Sequence, residues 1–212
     1  MYAKFNPARG TDGKPKLESL EGMFFSSDSA SAVKSSGKAK TALKSTFQEI
    51  DEEFFKELGD EHNVCGSCAL LCVVEDGCVW AANCGDSRAI LVQRHERGAV
   101  HGVPVTTDLN SSCASEVEKV KKRSSDPEAV RYNERDLMRK SGAGSAAKRV
   151  AGSLMVTRAL GDGYLKRKDL SMPPFKEHVP YITAKPKVTR VELDKRHTHL
   201  VIASDGIWDH LR

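Results

Sequence analysis

Two apolar runs in this 212-residue chain end in the same way, on a turn that presents an aspartate. CVWAANCGDSR carries Asp86, and HLVIASDGIWD carries Asp205 with Asp209 about one helical turn further on. Hard cations such as Mg²⁺ and Mn²⁺ take oxygen ligands that are held in place, and a carboxylate at the end of a sheet strand is held in that way. Gly-Asp and Asp-Gly are also the commonest turn formers, so each run taken alone reads as a turn. A third segment, RVAGSLMVTRALGDGYLK, repeats the pattern at Gly161-Asp162 and adds Arg158, which alone reads as half of a structural ion pair.

The cysteines and histidines offer less. Cys65-x-x-Cys68 has the spacing of a zinc knuckle, but a structural zinc site needs a second such pair. Cys78 and Cys84 instead share a strand face with Trp80 and Ala82, so buried thiols in a sheet are the expectation. His197 and His199 alternate on a strand, which is weak ground for a metal site.

The elements that would position these residues follow from periodicity. Leu43, Phe47, Ile50, Phe54 and Leu58 stripe one face of a helix that Gly59 would stop. Residues 69–74, 78–84 and 88–94 are short β-rich runs broken by turns, and they read as an antiparallel meander of central strands. After Thr107 the chain turns polar and helical, in SEVEKVKKR and ERDLMRK, with a flexible break at 141–148. Glu116 to Arg123 reads as an exposed helix. Strand-like character returns in VAGSLMVTRAL, PYITAKPKVTRVEL and HLVIASDGIWDHL. Helices inserted between separate sheets favour an α+β sandwich. The Ser-rich residues 1–37 read as a flexible extension.

Composition removes several function classes. With 39% hydrophobic and 6% aromatic residues the chain is neither disordered throughout nor membrane-spanning, and no apolar run approaches the roughly 18 residues a membrane helix needs. The polar N-terminus lacks the apolar core of a secretory signal, so the six cysteines are expected in a reducing compartment, cytoplasm or nucleus. The formal excess of +4 resides between Ala114 and Arg149, but acids are interleaved there and Tyr132 is the one aromatic. That segment reads as a solvated insert rather than a nucleic-acid surface.

The ordered series GSCALL, NCGDSRAIL, RVAGSLMVTRALGD and LVIASDGIWDHL resembles the metal-dependent serine/threonine protein phosphatases of type 2C. DPEAVRYNERDLMR, GDGYLKRKDL and PYITAKPKVTRVEL look most like the plant-type and pyruvate-dehydrogenase-phosphatase-like branches. The resemblance implies a four-layer α-β-β-α sandwich of two antiparallel sheets over residues 38–212, incomplete at both ends, with a basic flap-like insert around 111–148. It implies two or three Mg²⁺ or Mn²⁺ ions, phosphorylated protein substrates and a monomer. Asp205 matches a ligand of the core metal pair; Asp86 matches a carboxylate of a third, weaker metal, shared with Asp205 and Asp209. Arg158 and Asp162 match a supporting motif, and Cys68 stands where the family usually has Thr. The implied mechanism is in-line attack on phosphorus by a water bridging two metals, with no phosphoenzyme.

The departures shape the expectation too. The family's DGHGG motif should precede the first helix, yet the only upstream Asp-Gly is Asp12-Gly13, followed by Lys14 and Pro15. Its final Asp-Asn motif is not matched before Arg212. Asp205 is then the one core-pair ligand present, so the chain as given is expected to look truncated, to bind metal poorly and to turn over little or no phosphate. The alternative is a catalytically inactive binding or regulatory module on the same sandwich.

Overall fold

The apolar stripe from Leu43 onward closes into helix α1 (Ser36–Leu58). A computed structural model describes residues 36–58, 63–96, 98–133 and 147–210. The expected extension up to residue 35, the stop at Gly59, the ERDLMRK run and the break up to residue 146 lie outside the described residues. The chain divides into two compact units, 1–42 and 43–212. The described part of the first is the opening of α1, where Thr41 Oγ1 donates to the Gly37 carbonyl at 3.0 Å.

In the second unit, the EDG turn joins β2 (Ala69–Glu75) to β3 (Cys78–Cys84) as a two-residue hairpin. Asp76 and Gly77 both take positive φ, 48° and 70°, as that turn requires. Strand β9 (Lys187–Glu192) pairs antiparallel on the other side of β3. A second antiparallel sheet has the order β10 (His197–Ala203), β4 (Arg88–Arg94), β5 (Val100–Pro104). The expected meander therefore ends after its second strand. Residues 88–94 cross to the other sheet, because the free edge of β3 is taken by β9, a partner about a hundred residues away that local pattern does not show.

Every residue of β3 is buried, and its two faces meet different neighbours. Val79 and Ala81 face Ala89 and Leu91 of β4 and Val105, with Leu70, Val191 and Leu200 around them, which is the core between the sheets. Ala82 and Cys84 face Phe47 of α1. Burial of each Val or Leu of this kind contributes about 1.5–3 kcal/mol. The result is an α+β sandwich of two antiparallel sheets, and the described residues form one helical layer and both sheets.

A separate cluster is built by the segment that charge alone marks as a solvated insert. Val120, Ala129 and Val150 pack with Ala159, Leu165, Tyr181 and Ile182. Helix α2 (Ala114–Arg123) forms as expected, but it is not exposed all round: Val120 is fully buried and Glu116 is 1% exposed. The strand expected through VAGSLMVTRAL stops at β7 (Lys148–Val150), which pairs antiparallel with β6 (Val130–Tyr132), because Ala151 and Gly152 turn the chain with φ of 53° and 70°. Only Leu160–Gly161 resumes as β8, paired with β1 (Gly66–Ser67). The alternation of His197 and His199 is broken by a bulge, since they oppose Gln93 and Val92. No described helix is long and apolar enough to cross a membrane.

Candidate functional site

The loop from β3 to β4 presents Asp86, and its shape depends on one glycine. Gly85 has φ 117°, and a Cβ there would overlap the side chain of Cys68. The same close approach brings the Cys68 thiol to Asp86 Oδ1 at 3.2 Å. Burial pushes the Cys68 thiol up to about 12, so it faces the carboxylate as a neutral donor. Burial also raises the pKa of half-buried Asp86; the bond from Cys68 opposes that rise and the charge of Asp205 adds to it.

At the end of β10 the chain enters a helical turn, Asp205–Trp208. Trp208 Nε1 donates to the Ala203 carbonyl at 2.8 Å, which ties the turn back to its strand. The Asp209 amide donates to the Asp205 carbonyl at 2.8 Å, so the two exposed aspartates stand one turn apart.

Asp86, Asp205 and Asp209 meet in one cleft of about 560 Å³, with Arg88, Asp108, Asn110 and Met155 also in its walls. Arg88 binds Asp108 through two parallel bonds, Nε to Oδ1 at 2.6 Å and Nη2 to Oδ2 at 2.7 Å. Four carboxylates against one guanidinium leave the cleft strongly negative, a field that concentrates cations. Among the described residues no three His, Cys, Asp or Glu side chains stand close enough to coordinate one metal ion. The charged donors of the cleft still suit a hard cation, being carboxylate oxygens, with Cys113 the one thiol in the wall.

Arg158 and Asp162 lie elsewhere. Arg158 grips Glu116 with Nε to Oε2 at 2.9 Å and Nη2 to Oε1 at 2.8 Å, and Nη1 donates to the Lys185 carbonyl at 2.8 Å. Asp162, 5% exposed, sits at φ 51° with its carboxylate against Gly66, where a Cβ would collide with it. Burial pushes its pKa up to about 6. Cys78 and Cys84 are buried, Cys65 is exposed, and all six cysteines are free.

Sequence reasoning missed Asp108 and gave Arg88 no role. Arg88 adjoins the GDS turn and was open to notice, whereas Asp108 is twenty residues from its partner in an unremarkable TTDL run.

A family model described as protein phosphatase 2C matches residues 18–212. Probable protein phosphatase 2C 67 of Arabidopsis thaliana is 32% identical over 187 residues, covering 82% of this chain and 48% of that protein. Probable protein phosphatase 2C 34 of Oryza sativa subsp. indica is 30% identical over 189 residues, covering 82% and 47%. The chain thus spans about half the length of the curated relatives it matches. The crystal structure of a serine-threonine phosphatase 2C from Toxoplasma gondii aligns with a TM-score of 0.58 at 18% identity, over 94% of this chain and 61% of that one. At that identity the likeness shows the fold.

Proposed function

The chain belongs to the protein phosphatase 2C family, and on that premise we propose that it supplies part of a metal-dependent protein serine/threonine phosphatase site. The observation that carries this reading is the meeting of Asp86, Asp205 and Asp209 in one negative cleft at strand ends. Each of the three would contribute a carboxylate to Mg²⁺ or Mn²⁺, with no single ion held by all three as they stand. A divalent cation bound there lowers the pKa of water toward neutrality and offsets charge on the phosphoryl oxygens of a phosphoserine or phosphothreonine.

The chain's own residues divide the remaining work. Cys68 fixes one oxygen of Asp86 by donating to it. Trp208 fixes the turn that carries Asp205 and Asp209. Asp108 fixes the Arg88 guanidinium in the wall through two parallel bonds. Six free cysteines suit a cytoplasmic or nuclear setting.

A second reading, a binding or regulatory module with little turnover, is favoured by the lack of a three-residue metal group among the described residues. Release of phosphate from a phosphothreonine peptide with Mn²⁺ present separates the two. The phosphatase reading expects metal-dependent release that Asp205→Asn lowers at least about 100-fold. Undiminished release in that variant would remove the site assignment, and phosphopeptide binding that Asp205→Asn weakens, with no release at any Mn²⁺ concentration, would favour the module.

A further inference from the structure

A second cleft, of about 420 Å³, is lined by Gln48, Phe55, Arg123, Lys166, Arg167 and Ile182, with Asp51 and Glu52 also in its walls. None of these belongs to the carboxylate cleft. Lys166, Asp51 and Arg167 already have bonded partners, and Glu52 stands among them. Lys166 Nζ holds both oxygens of Asp51, at 2.6 and 2.7 Å, and Asp51 Oδ1 also takes the Gly161 amide at 2.6 Å. Arg167 is paired with Asp169 at 2.6 Å and feels the charge of Glu52.

Arg123 is the exception. Its Nη1 donates to the carbonyls of Tyr181 at 3.0 Å and Thr157 at 3.4 Å, and among the described residues no carboxylate bonds to it. The charge of Glu116 acts on it, but both oxygens of Glu116 are taken by Arg158, Lys119 and Thr157. A guanidinium has five N–H donors in a planar fork, so this one keeps donors that no described carboxylate takes up. Burial and the neighbouring Arg158 both press its pKa down, and the charge of Glu116 opposes them only in part. Phe55, Pro180, Ile182 and Ala184 give the same cleft apolar walls.

We propose that this cleft is a binding site for a phosphate monoester, with Arg123 taking the phosphate and the Phe55 and Ile182 side holding the organic body. The proposal does not rest on the catalytic reading, because it uses none of the residues of the carboxylate cleft. A free small monoester and a phosphorylated side chain share this chemistry.

The test is calorimetric titration of the protein in excess chelator, with O-phosphoserine, a phosphoserine peptide and inorganic phosphate as probes. Saturable binding of either monoester is expected, unchanged in Asp205→Asn and weakened at least about tenfold in Arg123→Gln. Gln48→Glu places a carboxylate in the cleft from an exposed position on α1. It should weaken binding severalfold without lowering Tm, which keeps the test informative if the Arg123 variant folds poorly. Binding of O-phosphoserine alone assigns the site to a free ligand, and binding of the peptide alone assigns it to a phosphorylated side chain. No saturable binding, or binding lost in Asp205→Asn and kept in both Arg123→Gln and Gln48→Glu, would overturn the proposal.

Discussion

Arg158 spends its guanidinium on Glu116, and the two side chains are only 11% and 1% exposed. Burial alone would push the Glu116 pKa up, but the bonds from Arg158 and Lys119 more than offset this and hold it down to about 2. A depressed carboxylate stabilises the native state above its ordinary pKa. That contribution, about 3 kcal/mol, is lost as pH falls from about 4.5 toward about 2. Removing one partner strands the other charge. Glu116→Gln is therefore expected to lower unfolding free energy at pH 7 by about 3–5 kcal/mol in urea titrations, and Glu116→Leu with Arg158→Met should recover most of it. A single-variant loss under about 1 kcal/mol would show that the pair is not stabilising in this way. The ion-pair reading of Arg158 was open from its sequence alone, but its partner was not. Glu116 looks like any other acid in SEVEKVKKR, and only the docking of α2 beside Thr157 sets it apart.

At the scale of elements, the short ladder of β1 and β8 holds Asp162 where the chain cannot solvate it. The Asp162 amide donates to the Cys65 carbonyl at 2.6 Å, and Gly66 leaves room for the carboxylate. Its pKa is raised, so here the sign is the opposite of that for Glu116: the proton favours the folded state. Stability is expected to fall by about 3 kcal/mol as pH rises from about 4 to about 6, and Asp162→Asn should flatten that slope in a series of Tm measurements across this range. An unchanged slope would mean that this carboxylate is solvated after all.

The same scale shows which elements the sequence disclosed. The α1 stripe, the β2–β3 hairpin with its Asp76-Gly77 turn, and α2 were readable because each is specified by local period and turn chemistry. The crossing of β4 to the second sheet was not, because it depends on β9 and β10 arriving from far along the chain. The short strands around Ala151 escaped for the converse reason. Their apolar run has the composition of a strand, and a positive-φ turn overrides it.

For the whole molecule, the central point is that two loops over a hundred residues apart deliver Asp86 and Asp205 to one cleft, with Asp209 beside them. The three aspartates were named from their sequence because strand-then-aspartate runs recur in a familiar order. The Arg88–Asp108 wall and the Arg123 cleft were not, because neither leaves a pattern in local sequence. Mn²⁺ binding, followed by electron paramagnetic resonance of the free ion, tests the central claim without relying on turnover. The account predicts saturable binding at low ionic strength that Asp205→Asn and Asp86→Asn each weaken at least about tenfold, since ligand charge sets affinity for hard cations. Mn²⁺ binding unchanged in both variants would contradict it.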